Sequence, residues 1–300
     1  NMFGIKELTD YVNKKNKDVD GEIKNLKKTI EELKSADAVD QEALSKAETA
    51  LKEAESKIFT PIIGCEMYVA DNDMTDRSNK KDIGRHLIVL AKNQHGYHNL
   101  IKLVSNAWTD GYYYHPRTDK KQLEKYHEDL IVCSACLGGE VPKLITAGHI
   151  EEAEKSILWF KKVFGEDYYL ELQRHKATVA RANQEAYPLQ QEVNKVLIEM
   201  SKKHNIKLVC TNDVHFVNEE DAEAHDRLIC VSTGTFLDDD KRMLYTKQEW
   251  MKTQEEMNEL FADVPEALSN TQEVLGKVER YSIEHGPILP NFPLPEGFTD

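Results

Sequence analysis

Ile62-Ile63-Gly64-Cys65-Glu66-Met67-Tyr68-Val69 is the stretch on which the fold turns. It is short, apolar and rich in strand-forming residues, the texture of a buried strand, yet it carries one carboxylate, Glu66, in its middle. Four more such runs follow: His86-Leu87-Ile88-Val89-Leu90, Leu130-Ile131-Val132-Cys133, Tyr168-Tyr169-Leu170-Glu171-Leu172 and Ile206-Lys207-Leu208-Val209-Cys210. Helical patterns separate them at 98–108, 150–164 and 189–203, the second with Ala153, Ile157, Phe160 and Phe164 on one stripe. Strands alternating with helices predict an α/β fold with a largely parallel sheet. A chain of 300 residues with at least five strands favours closure into a barrel.

Upstream of this region the texture differs. Ile23, Leu26, Ile30 and Leu33, then Leu44, Ala47, Leu51 and Ala54, are spaced three and four apart. Two such seams bury themselves against each other, so 21–57 reads as an antiparallel helical hairpin inserted into the barrel. Asp40 is placed to cap the second helix, with Val39 and Leu44 as a hydrophobic staple. The hairpin is either a partner-binding arm or a solvated insertion. Residues 1–20 read as a remnant of the first barrel helix region, 58–285 as the barrel, and 286–300, with a proline every few residues, as a linker.

Composition narrows the function. There are 39 Lys+Arg against 53 Asp+Glu, a formal charge of -14, which argues against a nucleic-acid coat but not against an acidic, metal-filled site. No stretch approaches the roughly 18 apolar residues of a membrane span, and no signal peptide opens the chain. Cys65, Cys133, Cys136, Cys210 and Cys230 are odd in number and scattered, as expected of a protein of the reducing cytoplasm.

Polar residues interrupt the strand runs at their edges. Glu66 lies inside the first, His86 begins the second, Cys136 follows the third, and Asp213 and His215 follow the fifth. In an extended segment Asp213 and His215, two apart, face one side. Carboxylate, imidazole and thiol at strand ends suit a divalent metal. If the first two strands run oppositely as neighbours, Glu66 comes beside His86. Cys133 and Cys136 also have the spacing of a redox pair or half a zinc knuckle, although Cys133 belongs to the apolar run. Tyr112 to Arg117 offers stacking and a cation to a nucleotide, or else a packed surface loop. Glu171 and His175 are candidates to extend the polar site, while a cap or salt bridge suffices for His225. No phosphate loop, nucleophile elbow or dinucleotide motif is present.

Pro61 to Ala70, His86 to Asn93, Ser134 to Glu140 and Thr211 to His215 together resemble the N-terminal PHP (polymerase and histidinol phosphatase) domain of bacterial DNA polymerase III alpha subunits. Glu220 to Asp226, Glu255 to Leu268 and Leu289 to Pro295 are similar to it too. The resemblance implies a distorted (β/α)7 TIM-like barrel with up to three metals at one mouth, zinc foremost, manganese or magnesium as alternatives. Glu66 would bridge two metals, His86 and Cys136 would complete one, Asp213 would join the first and His215 the third. The family's His-x-His motif, a further acidic ligand and an Asp-His-Gly histidine precede the equivalent of Asn1, which implies an under-occupied centre. Some members are implied to be 3′–5′ proofreading exonucleases, others inactive scaffolds that dock a separate exonuclease. The partners implied are the rest of the polymerase subunit, other replicase subunits and, through the whole protein, DNA. A histidinol-phosphate-type phosphatase is the distant third reading, opposed by the proline-rich exit.

Overall fold

The computed structural model describes residues 2–36, 40–287 and 289. They divide into two units, one made of residues up to Pro61 together with those from Arg280 onward, the other of Ile62–Glu279.

In the first unit, α1 (Met2–Ser35) and α2 (Gln41–Ser56) form a helical hairpin. Ion pairs Lys27–Glu55 at 3.1 Å and Lys34–Glu48 at 2.9 Å fix its antiparallel sense, because the rising number on one helix meets the falling number on the other. Asp40 caps α2 through Oδ1, which accepts from the amides of Glu42 and Ala43 at 3.1 Å. The staple with Val39 lies outside the described residues. α1 runs unbroken through residue 21, so the hairpin's first arm extends back to Met2. Asn16 clasps the backbone of Phe59 from both sides, at 2.8 and 3.0 Å. Arg280 to Asp20 and Lys6 to Glu284 tie the C-terminal segment to α1.

The second unit holds a seven-stranded sheet. Its elements are β1 (Gly64–Val69), β2 (Arg85–Ala91), α3 (Gln94–Thr109), β3 (Tyr112–Tyr113), β4 (His115–Thr118), α4 (Lys120–Lys125), β5 (Leu130–Cys133), α5 (Glu140–Thr146), α6 (Ile150–Phe164), β6 (Tyr168–Leu172), α7 (Ala186–His204), β7 (Lys207–Cys210), α8 (Ala222–Thr233), α9 (Gln254–Leu260) and α10 (Pro265–Gly276). The strand order is β3-β4-β1-β2-β5-β6-β7. All five apolar runs are strands. The sheet is mixed, however, not largely parallel: β2 is antiparallel to both β1 and β5, while β1–β4, β5–β6 and β6–β7 are parallel. The reason is the connection. Residues 70–84 contain no helix, so the chain returns directly alongside β1 instead of crossing over. The short pair β3–β4 also comes from a stretch read as a loop, because elements of two and four residues containing Pro116 carry no period.

The outward faces of β1 and β2 are buried through Met67, Val69, Leu87, Val89 and Ala91. Their other face is graded. At one end Ile88 and Leu90 pack against Ile131, Cys133, Tyr169, Val209 and Val274. At the other end stand Tyr68 and His86, directly opposite in register, with Glu66 one pair further in. The polar end of an otherwise apolar sheet face is where the site forms.

Candidate metal centre

Alternation along β1 puts Glu66 and Tyr68 on the same face, and antiparallel pairing sets His86 against them. Glu66 Oε1 lies 2.6 Å from His86 Nδ1. The third partner arrives from the turn after β5. Ser134 anchors that turn, its amide donating to Tyr169 O at 3.1 Å and its hydroxyl accepting from the Glu171 amide at 2.8 Å. Ala135 adopts a left-handed conformation at φ 64°, reversing the chain so that Cys136 Sγ comes 3.4 Å from His86 Nδ1. Gly138 closes the turn against the imidazole. Its amide donates to Cys136 Sγ at 3.4 Å and its carbonyl accepts from the His86 amide at 3.1 Å. A Cβ at Gly138 would stand 2.8 Å from His86 Nδ1, so only glycine fits there without moving the ring.

The ligand atoms of Glu66, His86 and Cys136 lie within 4.8 Å of one another. Donors held tetrahedrally at zinc distances are about 3.4 Å apart. The Cys136–His86 separation meets that, and the shorter Glu66–His86 contact is a hydrogen bond that opens by less than an ångström to admit an ion. Oxygen, nitrogen and sulfur donors on two strands and a turn fit a zinc-like cation with a fourth position left for solvent. The three side chains also form a hydrogen-bonded cluster. Contact with Cys136 and then Glu66 raises the His86 pKa to about 10 against the opposing effect of burial, and the His86 hydrogen bond lowers that of Glu66.

Asp213 and His215 line the same cavity, about 330 Å³ in volume, as Glu66, His86 and Cys136. They reach it by a different backbone from the extended one expected, since Asp213 sits at φ 43°. His215 Nδ1 donates to the Asp213 carbonyl at 2.6 Å, which turns Nε2 away from the backbone. The loop is clasped by Asn212, whose Nδ2 donates to Gln248 O at 2.9 Å and Trp250 O at 2.6 Å. Burial raises the Asp213 pKa, with the nearby Glu66 charge adding to the effect and His215 opposing it.

The remaining candidates have other places. Cys133 is buried in the core, whereas Cys136 lines the cavity. Arg117 is wholly buried and donates to the carbonyls of Met74, Asp76 and Asp82 at 2.8–3.0 Å, so it offers no cation to a ligand. His175 lines the cavity with both ring nitrogens engaged, one by Gln190 Nε2 at 2.9 Å and one by Asn212 O at 3.1 Å. Glu171 turns inward, accepting from Gln173 and Thr211. His225 packs against the rings of His215, Phe216 and Tyr245. The sequence reading missed Tyr68, Tyr245 and Glu249, which also line the cavity.

Residues 9–175 match the PHP domain family. The chain belongs to that family. PHP domains bind metal ions, and Glu66, His86 and Cys136 make a group able to hold one in this PHP domain. Its mixed α/β sheet is of the PHP domain's TIM-like barrel class, with β3 and β7 as edges among the described residues. The PHP chain is 46% identical over 255 residues to the DNA polymerase III subunit alpha of Borreliella burgdorferi, covering 83% of this chain and 21% of that one. It is 39% identical over 244 residues to the subunit of the same name from Campylobacter jejuni, covering 77% and 19%. For that of Thermus aquaticus the figures are 34% over 294 residues, 93% and 23%. The PHP chain thus spans about a fifth of the length of these curated relatives. No described helix is long and apolar enough to cross a membrane.

Proposed function

We propose that this chain is the PHP domain of a cytoplasmic DNA polymerase III alpha subunit, and that its cavity is a metal-dependent phosphoesterase centre used as a 3′–5′ exonuclease in proofreading. One observation carries the reading: the Glu66–His86–Cys136 group shares an open cavity with Asp213 and His215. Glu66, His86 and Cys136 would hold zinc, and manganese or magnesium suits the more oxygen-rich Asp213 side. A bound cation would supply an activated water and charge stabilisation on a phosphodiester. The protein's own part is to hold Glu66 and His86 in strand register, to fix His215 by its Nδ1 bond, and to keep His175 neutral through burial and two committed nitrogens. The test is metal-dependent release of nucleotides from a 3′ end by the full-length protein and by its Glu66→Ala variant. Release that the variant loses supports the reading. Equal release by both overturns it.

A docking role, for the rest of the subunit and a separate proofreading exonuclease, is favoured by a different observation. Leu228 and Val231 share a face of α8 and are 65% and 80% exposed, with Phe236 at 78% just beyond. That reading leaves the cavity without turnover and predicts loss of replicase assembly, not of nuclease activity, when Leu228 and Val231 are made polar.

A further inference from the structure

The cavity is built to meet a phosphate, on the reading just given, yet none of its lining side chains is a lysine or arginine. It contains the carboxylates of Glu66, Asp213 and Glu249 instead. Beyond a metal ion, any stabilisation of a phosphoryl group must therefore come from neutral donors. Most of those present are engaged within the protein. Gln190 Nε2 donates to His175, Gln173 Nε2 to Glu171 and Thr211, Asn183 Nδ2 to Leu244 O, and the Thr246 hydroxyl to Glu249. His175 gives its N–H to Asn212 O. Besides the second N–H of Gln190 and of Asn183, two phenols are left, Tyr68 and Tyr245, whose hydroxyls make no hydrogen bond at all among the described residues. Tyr68 is on the strand that carries Glu66. Tyr245 is on a separate rim segment that carries none of the candidate ligands.

That rim is rigidly held. Arg242 and Asp226 form a buried two-pronged ion pair at 2.6 and 2.7 Å just before it. The Asn183 amide donates to Tyr245 O at 2.9 Å. Just after it, the buried carboxylate of Glu249 accepts from Thr246 N and Gln248 N, both at 3.0 Å. The ring itself packs against those of His215 and His225, with centroids 4.7 and 4.9 Å away. A side chain whose backbone is tied down and whose ring packs on two imidazoles, with its hydroxyl left unbonded beside a cavity, is preorganised for a ligand.

The geometry points to Tyr245 as a substrate-binding residue that donates its O–H to a non-bridging phosphoryl oxygen of a single terminal nucleotide. The size of the cavity agrees: about 330 Å³ is at the small end of ligand pockets, enough for one nucleotide and too little for a duplex. Leu137, Met243 and Leu244 supply the apolar wall that a sugar or base needs. The inference rests on the phosphoesterase reading.

The experiment uses the full-length protein loaded with zinc or manganese, wild type and Tyr245→Phe, with three readouts: metal bound per chain, affinity for thymidine 5′-monophosphate by calorimetry, and nucleotide release from a single-stranded oligonucleotide. Loss of one hydrogen bond to a charged acceptor is expected to weaken binding of the monophosphate about tenfold with metal content unchanged. Equal affinity in both proteins would overturn the assignment of Tyr245 and leave the phosphoesterase reading standing. Loss of metal in Tyr245→Phe would also overturn it, showing that the residue acts on the ion's site and not on the phosphate. A wild type that neither binds the monophosphate nor releases nucleotides would bring down both.

Discussion

Gly138 shows how much of the site rests on a missing atom. The Cβ of an alanine there would press on the His86 imidazole at 2.8 Å, and the backbone around it is fixed by the Cys136–Gly139 hydrogen bond at 2.9 Å. The ring must yield, which separates Nδ1 from Glu66 and Cys136. Gly138→Ala is expected to cost the centre at least tenfold in zinc affinity while the far-ultraviolet circular dichroism stays as in wild type; unchanged affinity would refute the close-packing argument. Arg117 is the opposite case, a residue whose charge suggests a ligand and whose burial forbids it. It is 0% exposed, pairs with Asp82 at 3.2 Å and satisfies four backbone carbonyls. Arg117→Met would leave those carbonyls and Asp82 without their partner, and a loss of about 3–5 kcal/mol is expected in denaturant unfolding. Sequence made Glu66 and His86 visible because a charge inside an apolar strand needs a reason. Tyr245 gave no such signal, since a tyrosine in a loop acquires a meaning only when the loop folds back over a cavity begun 179 residues earlier at Glu66.

Five of the strands were readable as elements because each lies in a short, mostly apolar run, whereas their directions were not. Direction depends on the connection, and the clue was the lack of any helical pattern between Val69 and Arg85. The antiparallel β1–β2 pair that results is what sets Glu66 beside His86. On the other side of the sheet β7 is secured to α10 electrostatically. Lys207 Nζ lies 2.8 Å from both carboxylate oxygens of Glu273, which also accepts from the Tyr169 hydroxyl at 2.7 Å. Burial acts to raise the Glu273 pKa, but the bonds from Lys207, Tyr169 and Lys277 outweigh it and bring the value to about 2. A folded-state pKa below the ordinary value near 4.5 means a contribution fully present above that value and lost as pH falls towards 2. Lys207 is 41% exposed, so screening holds the contribution to about 1 kcal/mol. Glu273→Gln should be less stable than wild type at pH 6, with the gap narrowing between pH 4.5 and 2 in urea titrations. A gap independent of pH would place the effect in packing instead.

For the molecule as a whole, the candidate ligands tie together parts of the chain that the sheet alone joins only through backbone hydrogen bonds. Glu66 is on β1, His86 on β2 and Cys136 in the turn after β5, so a cation held by all three spans 71 positions of sequence. An unfolded chain offers no such arrangement, and anything bound only by the folded state stabilises it by mass action. At zinc concentrations about 100-fold above the dissociation constant the gain is about 2.7 kcal/mol, which for a domain of this size is a rise of a few degrees in the unfolding midpoint. The unit that carries the ligands should therefore melt earlier after chelation by EDTA and recover when zinc is returned. Cys136→Ser keeps a turn of the same size but replaces the soft donor, and Gly138 then loses its sulfur acceptor as well. Its melting should respond little to zinc, while Cys133→Ala, which alters the core and leaves the cavity intact, should lower the midpoint and still respond. A differential scan of the full-length protein, following the transition assigned to this region, separates the cases. The same zinc-dependent rise in wild type and Cys136→Ser would mean that the ion binds elsewhere, and no rise in wild type would mean that the three donors hold a shared proton in place of a metal.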